Sequence, residues 1–132
     1  MEIEKIQKKL QMHKAGAMLV LNAPKPLAEL FSGFTPETAI DENRRAAYDY
    51  VMLFVTKQEE LQALLPQLKG LGKSDCLFWV CYPKKSGSVA SDLHRDIVWE
   101  IMLKINLRAV SLFAINETWS AMRLRPAALA GK

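Results

Sequence analysis

The chain has 132 residues, of which half are hydrophobic and 24% are charged. This length and composition are typical of a single globular domain, and they exclude a disordered, fibrous or collagen-like protein. No apolar run approaches the roughly 18 residues that cross a membrane. The charged segment 1–14 also lacks the apolar stretch of a secretory signal. We therefore expect one domain over residues 1–132, located in the cytoplasm and without a membrane partner.

The net charge of +4 is unevenly distributed along the chain. Residues 1–14 hold four Lys and two Glu, and residues 104–132 hold five Lys or Arg and one Glu. The intervening residues 15–103 hold nine basic and eleven acidic side chains, so only the two ends are basic. A nucleic-acid-binding protein usually carries a denser basic stripe than this. We therefore expect no nucleic-acid partner.

The cysteines and histidines do not form the pattern of a metal site. Cys76 and Cys81 fall five residues apart in one predicted strand, which places them on opposite faces and roughly 16 Å apart. That separation is beyond disulfide reach, so we expect two buried free thiols in a reducing compartment. His13 and His94 have no Cys or second His at ligand spacing, and we expect no bound metal.

Hydrophobic periodicity predicts helices that alternate with strands. Apolar residues recur at helical spacing in several segments, and continuous apolar runs between them are typical of buried strands. The pattern is weaker in residues 34–48, where a brief strand fits 38–40 and a helical turn fits 43–48. In chain order, the predicted elements are a helix over 2–12, a strand over 17–21, a short helix over 27–31, a strand over 50–55, a helix after Thr56, a strand over 76–82, a helix after residue 92, and strands over 107–115 and 119–125.

Local motifs predict where the two longer helices begin and end. Thr56 and Glu59 have the spacing of a capping box, in which the Thr hydroxyl accepts a hydrogen bond from the Glu amide. Pro66 is expected to kink this helix or to end its regular part. Ser91 or Asp92 is expected to cap the following helix with its side-chain oxygen.

Strands that alternate with helices imply a parallel sheet with right-handed crossovers. Only the last two strands are joined too tightly to accommodate a helix, so they must be antiparallel. The predicted fold is therefore an α/β, three-layer sandwich with a mostly parallel sheet and a C-terminal antiparallel hairpin.

The order of elements resembles the C-terminal half of class I methyltransferases, over roughly residues 49–125. The shared pattern is Asp49 ahead of an apolar strand, a capped helix, a Lys-Gly turn, an aromatic strand, a long helix and a closing hairpin. The resemblance implies a Rossmann-like fold. Those enzymes carry a Gly-rich loop after the first strand that lets the backbone approach S-adenosylmethionine. Here the loop reads Asn22-Ala23-Pro24-Lys25-Pro26, with no Gly, and its two prolines remove amide donors.

Three short motifs resemble a second group, a small bacterial family of single-domain proteins. They are Tyr82-Pro83-Lys84-Lys85-Ser86-Gly87, Asp92-Leu93-x-Arg95 and Thr118-Trp119-Ser120. This resemblance implies a degenerate Rossmann-like fold, and it implies no activity.

Ligands of open α/β sheets bind at the carboxyl ends of the parallel strands. In this chain those ends are followed by 22–25, 56–57, 82–88 and 116–119, which are rich in Lys and hydroxyl side chains. The basic loop 84–88 enters a helix, so it can offer amides and the positive end of the helix dipole to a phosphate. The predicted ligand-binding residues are Asn22, Lys25, Thr56, Tyr82, Lys84, Lys85, Ser86, Gly87, Ser88, Arg95 and Trp119.

Each of these features also has a purely structural interpretation. The loops are polar if they are merely solvated. Asp92 and Arg95 can form a surface pair, and Trp119 can cover the end of the sheet instead of stacking on a ligand ring.

Three functions fit the sequence. The first is a non-catalytic domain that uses no cofactor and binds a small anionic ligand, phosphorylated or carboxylated, or a protein partner. The second is an atypical S-adenosylmethionine-dependent methyltransferase. The third is a structural subunit that docks through its basic ends. The sequence contains neither a phosphate-binding Walker loop nor a serine-hydrolase elbow, so we predict no catalytic residues.

Overall fold

A computed structural model of the protein describes residues 3–14, 16–85 and 89–129. Its helices and strands follow the predicted order, with ends that differ by a few residues. The α-helices are α1 (Ile3–Lys9), α2 (Gln58–Leu68) and α3 (Arg95–Leu103), and short 3-10 helices span Met12–Lys14, Lys25–Phe31 and Glu42–Arg44. The strands are β1 (Met18–Leu21), β2 (Tyr48–Phe54), β3 (Gly72–Pro83), β4 (Leu107–Ala114) and β5 (Trp119–Pro126).

The five strands form one sheet in the order β1-β2-β3-β5-β4. β1, β2 and β3 pair in parallel, while β5 pairs antiparallel with both β3 and β4. β4 therefore runs in the same direction as the three parallel strands, although β5 separates it from them. The predicted α/β fold with a mostly parallel sheet is confirmed, and so is the parallel pairing of the first three strands.

Helices cover the sheet on two sides, because its central strands are apolar on both faces. On the first face, which we call the α2/α3 face, the strands pack against α2 and α3. On the second, the α1 face, they pack against the α1 segment and the 3-10 helix 25–31. The helical side chains buried on the α2/α3 face are Leu61, Leu65, Leu68, Val98, Ile101 and Met102, and those on the α1 face include Leu10, Met12, Leu27 and Leu30. No helix within the described ranges is long and apolar enough to span a membrane.

The two cysteines lie on opposite faces of β3, as predicted. Cys76 packs with the α2/α3 face and Cys81 with the α1 face. Both thiols are free; Cys81 is buried and Cys76 is partly buried.

The outer edge of β1 is covered by a single-residue bridge at Glu37. The amide of Val20 donates to the carbonyl of Glu37, and the amide of Glu37 donates to the carbonyl of Met18, each at 2.8 Å. The brief strand predicted at 38–40 is thus a bridge one residue earlier. The predicted helical turn is the 3-10 helix 42–44, whose first amides are capped by Asp41.

The predicted capping residues of α2 and α3 are wrong, because Asp92 bonds to a helix from a distant part of the chain. α2 begins after Lys57, and the Thr56 amide donates to the Glu60 carboxylate at 3.0 Å instead of joining a capping box. α3 begins after His94, which makes no side-chain capping bond. Asp92 accepts a hydrogen bond from the Gln58 amide at 2.8 Å, so it caps α2 and not α3. Pro66 lies in the last turn of α2, which ends two residues later.

Candidate functional site

The carboxyl ends of β1, β2, β3 and β4 lie along one side of the sheet, which we call the carboxyl edge. This edge follows from the strand directions, because only β5 runs the opposite way. A backbone hydrogen bond joins two of its loops: the Lys84 amide, just after β3, donates to the Thr118 carbonyl, just before β5, at 2.7 Å. The loop after β3 thus starts against the turn between β4 and β5.

An open pocket of about 400 Å³ lies beside the end of β3. Both Lys84 and Lys85 line it, so the two adjacent lysines contribute to the same pocket. Lys84 is partly buried and Lys85 is exposed. The pocket is completed by Pro83, Val89, Ala90, Ser91 and Leu93. The predicted ligand-binding residues Ser86, Gly87 and Ser88 lie outside the described residues.

Tyr82 and Arg95 lie close to this pocket without lining it. Tyr82, the residue before Pro83, is 4% exposed and packs in the core of the α2/α3 face. Burial raises the pKa of its phenol, and the positive charge of Arg95 partly opposes that rise. The Arg95 guanidinium is exposed and pairs with Asp96 at 3.3 Å, not with Asp92 as the sequence suggested. The charge of Arg95 near the end of β3 is therefore offset by that of Asp96.

Ser91 and Asp92 hold the loop after β2 against the segment that precedes α3. The Ser91 hydroxyl donates to the Thr56 carbonyl at 2.7 Å and accepts from the Leu93 amide at 3.0 Å. Asp92 accepts from the Gln58 amide, and its own carbonyl accepts from the Gln58 side chain at 3.0 Å. Since Ser91 and Leu93 line the pocket, these bonds fix one of its walls. Thr56 contributes its backbone to this arrangement and does not line the pocket.

The loop after β1 forms a separate part of the carboxyl edge. Asn22 has a left-handed backbone, with φ of 62°, and the 3-10 helix begins three residues later at Lys25. Both side chains are exposed, and neither lines the pocket beside β3. The 3-10 helix inserts Leu27 and Leu30, which are 1% and 0% exposed, into the core of the α1 face. The space next to the end of β1 is therefore filled by side chains of the protein.

Trp119 has the packing role that the sequence left as an alternative. It is 7% exposed, and its ring meets the ring of Phe54 edge to face, with centroids 5.4 Å apart. Phe54 in turn contacts Phe31 of the 3-10 helix, with centroids 6.5 Å apart. Its ring is buried in this aromatic cluster, which favours the packing interpretation over stacking on a ligand.

Two further hollows were not predicted. One, of about 160 Å³, lies at the opposite edge of the sheet between the turn after α2 and the end of β5, with walls that include Leu71, Phe78 and Leu124. The other, of about 610 Å³, is an open groove between α1 and the turn after β4, with Lys5 and Lys9 on its α1 side. The basic N-terminal segment was the sequence signal for this groove, but only the fold places it beside the turn after β4, which contributes Glu117 to the groove.

Within the described part of the chain, no group of three or more His, Cys, Asp or Glu is arranged to hold a metal ion. The charged groups at the pocket beside β3 are instead the two lysines, with the Arg95 guanidinium nearby. This arrangement can bind an anion through charge-assisted hydrogen bonds.

No protein-family model matches the sequence, and no curated protein is significantly similar to it. Among solved structures, the chain is similar to the crystal structure of a putative type 11 methyltransferase from Sulfolobus solfataricus. The two proteins share 12% sequence identity with a TM-score of 0.56, and the match covers 98% of this chain and 82% of that chain. Similarity at this level of identity concerns the fold alone. The chain thus has a Rossmann-like α/β fold similar to that of this putative methyltransferase.

Proposed function

We propose that this domain, a three-layer Rossmann-like sandwich closed by a C-terminal hairpin, binds a small anionic ligand at the pocket beside β3. The ligand carries a phosphate or carboxylate group. The observation that carries the proposal is that Lys84 and Lys85 line one pocket at the carboxyl end of a parallel strand, where open α/β sheets bind their ligands.

The chemistry around the pocket supports binding over catalysis. Its one hydroxyl side chain, Ser91, is committed to the Thr56 carbonyl and the Leu93 amide. The nearby carboxylate of Asp92 accepts from the Gln58 amide. These groups hold the pocket in shape, which leaves the lysines as the groups that contact a ligand.

A methyltransferase is the second candidate, and the similarity in fold to the Sulfolobus solfataricus protein favours it. Two features of the loop after β1 weigh against it. The loop has no Gly, and the 3-10 helix that starts at Lys25 fills the adjacent space with Leu27 and Leu30. We therefore expect S-adenosylmethionine to bind weakly or not at all.

Calorimetric titration of the purified protein with inorganic phosphate, with a phosphate monoester and with S-adenosylmethionine tests the proposal. We expect saturable binding of at least one phosphate compound. The variant Lys84→Ala/Lys85→Ala should weaken it about tenfold or more, because hydrogen bonds to charged groups contribute roughly 1.5–3 kcal/mol each.

The matched control is Lys8→Ala/Lys69→Ala, which removes the same charge from two exposed lysines that do not line the pocket. Its affinity should equal that of the wild type. Equal loss in both double variants would mean that the lysines act only through net charge. Low-micromolar binding of S-adenosylmethionine would instead favour the methyltransferase.

A further inference from the structure

We propose that the free edge of β4 binds an extended segment of a partner protein, in which acidic and apolar side chains alternate. This surface is separate from the pocket beside β3, and the inference does not depend on the proposed ligand. It rests on three features of β4: its unpaired edge, the arginines on one face and the exposed leucines on the other.

The two edges of the sheet differ in how they are protected. The outer edge of β1 is covered by the bridge at Glu37. β4 is the last strand on the other side, and no strand in the ranges 3–14, 16–85 and 89–129 pairs with its outer edge. Its eight residues contain no proline and no lysine, although Arg108 and the bulge at Val110 protect part of the edge. On either side of the bulge, residues 107–109 and 111–114 have no strand on their outer side in the described part of the chain, so their outward backbone groups can pair with an added strand.

On the α1 face, the β4 edge is basic. Arg108 and Arg125 are directly opposite each other in the register of β4 and β5, an arrangement of like charges that is destabilising by itself. Asp75 offsets part of it, because its carboxylate accepts two hydrogen bonds from Arg125, at 2.9 and 2.6 Å. Arg123 lies on the same face, opposite Ser111, and Arg108 has no ion-pair partner among the residues described. Asp75 thus offsets the charge of Arg125 and, more weakly, that of Arg123.

The groove beside α1 lies at the other end of β4 from Arg108. Lys5 and Lys9 line it on one side, and residues 114–118, which include Glu117 and no basic residue, line it on the other. Lysines of the N-terminal segment therefore lie beside the end of β4, and Arg108 lies near its start.

The other face of the same edge is apolar. Leu112 lies opposite Met122 in the register, which places it on the α2/α3 face, and Leu103 ends α3 on that side. Leu103, Val110 and Leu112 are 43%, 38% and 42% exposed, and they are the large hydrophobic side chains found exposed in the described part of the chain. All three lie on β4 or at the end of α3. Val110 is the extra residue of a bulge between positions 109 and 111.

These two faces define the partner. Successive side chains of a strand point to opposite faces, so a strand added to β4 would present alternate residues to the arginines and to the leucines. Carboxylate side chains would pair with the arginines, and apolar side chains would pack against the leucines. A second copy of this protein does not fit, because β4 itself contains no acidic residue to pair with Arg108.

A nucleic acid fits less well than a peptide. Single-stranded nucleic acids bind where bases can stack on exposed aromatic rings. Phe113 is the aromatic residue of β4, and its ring is packed edge to face against Trp79 with centroids 5.4 Å apart. The unpaired strand edge also calls for a partner with backbone amides, which only a polypeptide supplies.

Fluorescence polarisation with a labelled, alternating Glu-Val octapeptide tests the proposal on the whole protein. We expect saturable binding that weakens with added salt, and weaker binding of an alternating Lys-Val octapeptide. Arg108→Glu should weaken binding of the Glu-Val peptide about tenfold or more. Leu112→Gln should weaken it severalfold. The control Lys25→Glu makes a charge change from positive to negative at an exposed site after β1, on the other side of the sheet from β4, and should leave binding unchanged.

Amide chemical shifts measured by NMR show where on the protein the peptide binds. The Glu-Val peptide should shift the signals of residues 107–114 and leave those of residues 83–93 unmoved. Four results would each overturn the proposal: no saturable binding, equal binding by Arg108→Glu, shifts confined to 83–93, or tighter binding of oligothymidylate than of the peptide. The last result would assign the basic surface to nucleic acid.

Discussion

The most specific stability prediction concerns the cap that Asp92 provides to α2. Replacing Asp92 with Ala removes the acceptor of the Gln58 amide, a bond of 2.8 Å. Loss of such a cap costs about 1 kcal/mol, and loss of the negative charge near the helix start costs about 0.3–1 kcal/mol more. The two terms together are about 1.3–2 kcal/mol, and because Asp92 is exposed we expect a total at the lower end, about 1.3 kcal/mol.

This loss corresponds to a measurable change in melting temperature. Unfolding entropies of roughly 2.1 cal/mol/K per residue give about 0.28 kcal/mol/K for a chain of this length. Asp92→Ala should therefore lower Tm by about 4–5 °C in thermal unfolding followed by circular dichroism. Asp92→Asn keeps an acceptor and loses only the charge, so its Tm should fall by less, about 1–4 °C.

Thr56→Ala is the decisive control for this prediction. The sequence motif assigns the cap to the Thr56 hydroxyl, whereas in the fold α2 begins without any capping bond from that side chain. We expect Thr56→Ala to change the free energy of unfolding by less than about 0.5 kcal/mol. If Thr56→Ala lowers the free energy of unfolding as much as Asp92→Ala does, the reasoning is refuted and the local capping box is the better explanation.

Two further predictions concern titratable groups. The ion pair with Arg125 lowers the pKa of the Asp75 carboxyl. The pair therefore stabilises the fold fully at pH values above the ordinary carboxyl pKa of about 3.9. This stabilisation is lost as the pH falls through the lowered pKa of Asp75. Urea unfolding should show Asp75→Asn less stable than the wild type at pH 6 and nearly equal to it at the most acidic pH; a constant difference would contradict this. Burial raises the pKa of the Cys76 thiol from 9 to about 11. At pH 8 its thiolate form is therefore roughly a hundredfold less populated than that of an ordinary thiol. We expect a thiol reagent to label Cys76 slowly in the native protein. Burial also raises the pKa of Cys81, and we expect this thiol to be labelled only when the protein unfolds. Fast labelling of both thiols in the native protein would contradict this and show that the core opens readily.

The sequence by itself determined the elements and the sheet type. Apolar runs such as 50–55 and 76–82 are signals that depend only on neighbouring residues, and they predicted the strands closely. The short connection at residues 115–118 excludes a crossover helix, so the antiparallel direction of β5 followed from chain length alone. The placing of the carboxyl edge also followed, because it depends only on strand directions.

Only the tertiary structure decided which residues meet across the chain. Asp92 and Gln58 lie 34 positions apart, so no local motif could show that one caps the helix of the other. Trp119 has the same sequence context whether it stacks on a ligand or packs on Phe54, and burial alone separates the two. The groove between Lys9 and the turn after β4 brings together residues more than 100 positions apart in the chain. Such contacts depend on the order of strands in the sheet and on packing between helices and sheet. Both are determined by the sum of many long-range interactions, which hydrophobic periodicity and residue spacing cannot predict.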